Sequence, residues 1–224
     1  MNIAPPQAPI VILISGRGSN MRALIEHART AGAPYRVALV LSDKADAAGL
    51  GVAASLGVAA RALPAPHSGG RPAFERLLSQ AIDDCAPSLI ALAGFMRILS
   101  PEFVGRYAGR IMNIHPSLLP RHPGLHTHRR ALAAHDSEHG ATVHFVTEEL
   151  DGGPAIVQAK VAVHADDDED TLAARVLALE HEIYPLAAGW YCEGRLQLRG
   201  GRAWLDGAEL TAPVQYRDGH ARNL

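Results

Sequence analysis

The sequence predicts an α/β fold: a mostly parallel central sheet with helices on both faces, extended by antiparallel strands in the C-terminal half. Three observations carry this expectation. Short β-rich runs alternate with segments of helical spacing through the first half of the chain. The early strand-like runs are apolar without a break, as expected where both faces of a parallel sheet are covered. Further on, two longer runs, "ATVHFVTEEL" and "AIVQAKVAVHA", are joined only by "DGGP", so a hairpin or meander extends the sheet.

Taken in order, "PIVILIS" (9–15) is the first buried strand, followed by the glycine-rich turn "SGRGSN" and the helical "MRALIEHART". "RVALVLS" (36–42) is the second strand, and "ADAAGLGVAASLG" a helix despite its glycines. "RPAFERLLSQAIDDC" carries Pro72 in the first turn of a helix, where proline is tolerated. "SLIALAG" (88–94) is a third buried strand; Ser100 then reads as an N-cap with Pro101 at the first helical position. "RIMNIH" (110–115) is a short fourth strand near the centre, and after a proline- and histidine-rich loop "THRRALAAH" forms a helix. The acidic run "DDDED" (166–170) precedes a long amphipathic helix, "EDTLAARVLALEHEIYPLAAGWY", where the helix dipole favours it. Pro185 is expected to kink that helix. "RLQLRG" and "RAWLDG" read as small β pieces. No linker, repeat or low-complexity segment interrupts the pattern, so residues 1–224 are expected to form one domain.

Composition bounds the function. At 224 residues and 48% hydrophobic content, the chain can bury one substantial core. A formal charge of −2 and a pI near 6.6 argue against a nucleic-acid surface. No apolar run reaches the roughly 18 residues of a membrane span. "MNIAPPQAP" has neither the basic region nor the hydrophobic core of a signal peptide, and Cys85 and Cys192 are too few for a disulfide framework. A cytoplasmic protein is expected.

In open parallel sheets, ligands bind beyond the carboxyl ends of the strands. Those ends carry "SGRGSN", "AGFMRIL", "NIHPS" and "EELDGGP". The glycine loop admits three readings. A dinucleotide fingerprint wants a glycine where Met21 stands, and a Walker A loop wants a Gly-Lys-Ser/Thr that is absent. An anion held by backbone N–H groups at the helix start, and a plain turn capped by Ser19 or Asn20, both stay open.

Asn113 and His115 lie two apart on a strand and so share a face. An amide donor beside an imidazolium suits an oxyanion developing on a carbonyl carbon. The competing reading is structural: His115 caps a turn made by Pro116 and Ser117. Asp151 lies in a turn at a strand end. If it meets His115, its carboxylate stabilises the imidazolium and fixes the ring; otherwise Asp151–Gly152 is an ordinary turn pair. His122, His126, His128 and His135 lie close in sequence, but no zinc spacing matches and no metal is expected.

These pieces occur together in one family. From about Ile10 to about Leu205, the chain resembles the folate-dependent phosphoribosylglycinamide formyltransferases of purine synthesis. The likeness rests on "ISGRGSN", "SDKADAAGL", "LAGFMRILSPEFV", "NIHPSLLPRHPGLHTHR", "VHFVTEELDGGPAIVQAKV" and "EHEIYP". The resemblance implies a formyltransferase-like, Rossmann-related fold, with phosphate held in the N-terminal half and folate in the C-terminal half. It implies 10-formyltetrahydrofolate as cosubstrate, glycinamide ribonucleotide as acceptor, no metal or nicotinamide, and a monomer or homodimer. Asn113, His115 and Asp151 match the catalytic trio. Gly18, Ser19 and Asn20 match the phosphate loop, and Glu180 an acidic residue at the ribose. Arg71, Met96, Arg97, Ile98, Leu99, Asn113 and Thr147, Glu148, Glu149, Leu150 and Asp151 match the folate site. His144 matches a supporting polar residue near the trio.

One position departs from the pattern. Three residues before Glu180, where many members carry a polar or basic side chain near the phosphate, this chain has Leu177. Arg17, inside the loop, is expected to supply the missing charge. Three rivals remain. Methionyl-tRNA formyltransferase shares "HPSLLP" but adds a C-terminal domain, for which this chain ends too early. Formyltetrahydrofolate deformylase adds an N-terminal domain, whereas barely nine residues precede the first strand here. The third is a nucleotide-binding module without catalysis.

Overall fold

Strand β1 (Ala8–Ile14) is buried on both faces: Ile10, Ile12 and Ile14 enter one core, Val11 and Leu13 the other. The alternation shows directly why this run is apolar throughout. The computed structural model describes residues 7–63, 69–217 and 219–222; the start of the stretch read for a signal peptide lies outside them.

The chain continues through α1 (Ser19–Ala28), β2 (Tyr35–Ser42), α2 (Ala48–Ser55), β3 (Ala60–Ala62), α3 (Gly70–Asp83), β4 (Leu89–Leu92), α4 (Pro101–Arg106) and β5 (Ile111–His115). Then follow α5 (Thr127–Ala133), β6 (Glu138–Phe145), β7 (Ala155–Ala162), α6 (Glu169–Cys192), β8 (Leu196–Arg199), β9 (Arg202–Leu205), β10 (Ala208–Glu209), β11 (Val214–Arg217) and β12 (His220–Arg222).

Nine strands form one sheet in the order β12-β11-β7-β6-β5-β4-β1-β2-β3, and β10-β9-β8 form a small second sheet. Pairing from β3 to β5 is parallel throughout; β6 is antiparallel to both β5 and β7. The expected mostly parallel sheet with an antiparallel extension is what forms. Residues of α1, α2 and α6 pack on one face, those of α3 and α4 on the other. Among the described residues, no helix is long and apolar enough to cross a membrane.

Several expectations need correction. Neither Ser19 nor Asn20 caps α1: the N-cap is Gly18, in the left-handed region at φ 73°. Helix α2 begins only at Ala48. Helix α6 contains Pro185 and continues to Cys192, which bears on its length and not on the expected kink. That proline, lacking an N–H, removes one bond from the ladder without ending the helix. Strand β6 starts earlier than "ATVHFVTEEL" suggested and stops at Phe145, leaving "VTEEL" as a loop. Periodicity missed β3, and it did not show β11 returning from the tail to pair in parallel with β7. The acidic run behaves as read: Asp168 caps α6 in a reciprocal capping box with Thr171, and Glu169 and Asp170 occupy the first turn. Ser100 likewise caps α4, accepting from Phe103 N.

One contact places the central strands. The Tyr184 hydroxyl of α6 is fully buried and lies 3.0 Å from the carbonyls of both Leu92 and Met112. It stitches α6 to β4 and β5 one residue before Asn113.

Candidate active site

The glycine loop is shaped by close backbone approach. A Cβ on Gly18 would meet Met21 Cε at 3.0 Å and the Gly49 backbone at 3.2 Å. Gly49 has no room either: a Cβ there would lie 2.6 Å from Ile14 Cδ1 and 2.9 Å from Gly16 O. The start of α2 therefore seats on the loop, with Gly49 N donating to Gly16 O (3.0 Å). Gly18 has no side chain to cap α1, so the first-turn N–H groups remain available to an anion. Arg17 is exposed on this loop, and Leu177 is half-buried on α6.

Asn20 turns inward. Its Nδ2 donates to Glu180 Oε2 at 2.6 Å, both side chains are buried, and Asn20 Oδ1 has no protein partner. The structure thus joins two predicted binding residues that lie 160 positions apart. Burial pushes the Glu180 carboxyl above the usual glutamate range, partly offset by the Asn20 hydrogen bond.

Met112 and Ile114 of β5 face α6, whereas Ile111 faces α3 and α4. Asn113 and His115 share the alternate positions with Ile111. His115 Nδ1 lies 3.5 Å from Asp151 Oδ2, with both side chains less than a tenth exposed. Its Nε2 lies 3.0 Å from the His122 carbonyl. Both ring nitrogens therefore face oxygen acceptors, an arrangement that a doubly protonated ring satisfies. At 3.5 Å the aspartate is paired with the ring without a tight hydrogen bond. Asn113 Nδ2 donates to His144 Nε2 (3.2 Å), and His144 Nε2 is 3.8 Å from Asp151 Oδ1. Asn113, His115, His144 and Asp151 thus form one cluster, drawn from two neighbouring strands and a loop.

Asp151 is held by its backbone as well as by its partners. It adopts φ 52° in the turn closed by Gly152 N donating to Glu149 O (3.2 Å). Gly153 must lack a side chain, since a Cβ there would run into the Phe145 carbonyl. Gly124 N donates to Asp151 Oδ2 at 2.8 Å, from the loop that follows β5. That loop is pinned from below by buried polar groups. Thr142 Oγ1 donates to Ser117 O (2.6 Å) and accepts from Leu119 N (3.1 Å) and Gln158 Nε2 (3.0 Å); Gln158 Nε2 also donates to Leu119 O (2.8 Å).

Asn113, His144 and Asp151 line a cavity of about 120 Å³ together with Arg97, Ile98, Leu99 and the 147–150 loop. Most of the predicted folate set is therefore contiguous with the trio. Ile98 and Leu150, which line it, are exposed and offer apolar surface; Met96 is exposed too but is not among the lining residues. Arg71 is not in this cavity: it is exposed at the start of α3 and lines a separate groove between α3 and α4. The Arg97 guanidinium lies over the Phe74 ring, 4.5 Å from its centroid, and 3.7 Å from Asp43 Oδ2.

Sequence reasoning missed Ser15, Asp43, Gly49, Gly124, Thr142 and Gln158. Ser15 Oγ donates to Asp43 Oδ1 (2.6 Å) and accepts from Met96 N (2.8 Å), bridging the glycine loop and the 94–99 segment. The only local signal for any of these was polar side chains in otherwise apolar strands, as with Thr142 and Gln158. Among the described residues, no group of three or more His, Cys, Asp or Glu is arranged to hold a metal ion. The nearby histidines pair instead: His122 with Asp136 (2.7 Å), and His128 Nδ1 with His139 Nε2 (3.1 Å).

With this geometry in hand, comparison with known proteins is decisive. A profile of the formyl transferase family matches residues 8–188. The phosphoribosylglycinamide formyltransferase of Escherichia coli K12 is 55% identical over 201 residues, covering 90% of this chain and 95% of that protein. The structure of the phosphoribosylglycinamide formyltransferase of Coxiella burnetii is 46% identical, with a TM-score of 0.88, covering 92% of this chain and 97% of that one. A formyltetrahydrofolate deformylase from Pseudomonas putida KT2440 is a more distant neighbour, 27% identical with a TM-score of 0.81, covering 91% of this chain and 72% of that one. A family match across most of the chain, on a fold that clusters an amide, an imidazole and a carboxylate at the sheet's strand ends, leads to one conclusion: this chain belongs to the formyl transferase family.

Proposed function

We propose that the chain transfers a formyl group from 10-formyltetrahydrofolate to the amine of N1-(5-phospho-D-ribosyl)glycinamide, a step of de novo purine biosynthesis. The observation that carries this reading is that Asn113 and Asp151 line one cavity while the His115 imidazole lies 3.5 Å from the Asp151 carboxylate. The folate supplies the one-carbon unit; the protein's part is to bind, orient and stabilise charge.

In this reading, oxygen charge develops as the amine adds to the formyl carbon, and the Asn113 amide and the His115 ring stabilise it. A donor of this kind is typically worth about 2.7–4 kcal/mol. Asp151 holds the imidazolium, and a water beside it relays the amine proton to the departing folate nitrogen. Gly18, Ser19 and Asn20 take the phosphate at the start of α1, and Arg17 adds positive charge there. Glu180, tied to Asn20, takes the ribose side. Met96, Arg97, Ile98, Leu99 and the Thr147–Asp151 loop (Thr147, Glu148, Glu149, Leu150, Asp151) take the folate. Arg71, which lies in a separate groove, is proposed as a folate contact on the resemblance alone. Residues 1–224 are one formyltransferase domain, its first half serving the phosphate and its second half the folate. It acts in the cytoplasm, as a monomer or homodimer, on small molecules alone.

The test is direct. The protein is mixed with formyl-folate, with and without glycinamide ribonucleotide, and deformylated folate is followed by absorbance. Turnover that requires the ribonucleotide is the expected result. Turnover without it would make the chain a hydrolase, and none at all would leave only a binding module.

A further inference from the structure

We propose that His144 is a positioning residue for the reaction: as its Nδ1–H tautomer it accepts a hydrogen bond from Asn113 and sets which way that amide faces. The kinetic consequence rests on the formyl-transfer reading above; the geometry stands without it.

The two residues meet because β5 and β6 run antiparallel with Asn113 directly opposite His144. Directly opposed residues have their Cβ atoms about 4.5–5.5 Å apart, close enough for side chains to bond. The register of β6 on its other neighbour, β7, shifts between Val143 and His144, so His144 sits at an irregularity in the sheet. Its side chain is only 2% exposed.

The contacts select a single tautomer. His144 Nδ1 lies 2.9 Å from the Phe145 carbonyl, which can only accept, so Nδ1 carries the proton. Nε2 is then left to accept from Asn113 Nδ2 at 3.2 Å. If the amide were flipped, two lone-pair atoms would face each other. If Nε2 were protonated, two donors would do so. The titratable groups facing this ring are Asp151, from the loop after β6, and His115, on β5. Burial lowers the basicity of His144; the Phe145 carbonyl and Asp151 oppose that, and His115 adds to it. The ring thus stays neutral beside the cluster.

The two ends of an asparagine amide are nearly identical in shape, so packing alone cannot choose between them. An acceptor at Nε2 does. It draws Nδ2 to the side of the cluster where Asp151 lies, and leaves that nitrogen's second N–H for a ligand oxygen. The opposite orientation would offer an acceptor where a donor is needed.

The experiment uses the full chain. Histidine labelled with nitrogen-15 reports the tautomer in the wild-type protein, where Nδ1 protonated and Nε2 bare is expected between about pH 6 and 8. His144→Leu removes the acceptor and should lower kcat on the order of 10²-fold, with KM for either substrate little changed. His144→Gln restores an acceptor and should recover most of that loss. An Nε2–H or doubly protonated His144 would overturn the proposal, as would equal kcat losses in the Leu and Gln variants. Should His144→Leu fail to fold, the wild-type tautomer still decides. Absence of turnover in the wild type would count against the formyl-transfer reading, whereas the nitrogen spectrum bears on His144 alone.

Discussion

Asp151 shows how much one residue is asked to do. It occupies left-handed backbone at φ 52°, a conformation that costs a non-glycine residue roughly 1–2 kcal/mol and that aspartate tolerates better than most. In return its carboxylate accepts from Gly124 N and faces both His115 and His144. Asp151→Asn keeps an oxygen for Gly124 but loses the charge that pairs with the imidazole. His115→Ala removes the ring itself. Each should cut turnover by at least about 10²-fold in the absorbance assay, the lower end of what a positioned acid or base supplies. Near-wild-type rates in both would remove these residues from the mechanism. Arg17→Ala, exposed on the glycine loop, should raise KM for the ribonucleotide and leave folate affinity unchanged. An unaltered ribonucleotide KM would show that Arg17 takes no part in holding the ribonucleotide.

At the scale of elements, the site depends on how the loop after β5 is anchored to β6 and β7. Thr142 is fully buried and serves three partners at once: it donates to the Ser117 carbonyl and accepts from the Leu119 N–H and the Gln158 amide. A valine of similar shape fills the space but strands those groups. Leaving buried donors and acceptors unpaired costs about 1–3 kcal/mol each. Thr142→Val should therefore lower stability by at least ~1 kcal/mol in urea denaturation. It should also reduce turnover, because the same loop supplies the His122 carbonyl to His115 and the Gly124 N–H to Asp151. Unchanged stability would mean that the network is replaceable by packing. A second brace, from Ser15 to Asp43 and to Met96 N, joins the glycine loop to the 94–99 segment, so the two regions share one support.

Across the whole molecule, buried and half-buried histidines set the pH response. His27, His128, His139, His144 and His181 are all held below the ordinary imidazole value of 6.5, with burial the leading cause in each case; His139 is pushed down to about 4. Below pH 6.5 the unfolded chain binds protons that the folded chain refuses, so stability falls as pH drops, for His139 down to about 4. Glu180 acts in the opposite sense: its raised pKa makes the folded form lose stability as pH rises above 4.5. Five groups against one predict a melting temperature that declines from pH 7 to pH 5, by roughly 2–4 °C for each kcal/mol of linkage in a chain of this size. A flat profile over that range would show that these rings are hydrated and titrate freely.

What could be read from the chain was whatever depends on local order. Unbroken apolar runs such as Ile10–Ile14 declare a doubly covered strand, Ser100–Pro101 and the acidic run 166–170 declare helix starts, and period two puts Asn113 and His115 on one face. These follow from bonds and side-chain directions within a few residues. The motifs then named the family whose profile matches most of the chain. Tertiary structure alone decided what lies across large gaps: Asn20 against Glu180, Thr142 under Leu119, Asp43 behind Ser15, and the absence of Arg71 from the cavity. It also overruled Ser19 and Asn20 as caps: the N-cap is Gly18, whose left-handed backbone and close approach to Gly49 both favour glycine. The reason is physical: a hydrogen bond between distant residues leaves no period in sequence, since its geometry is set by the packing of elements that come together only in the folded chain.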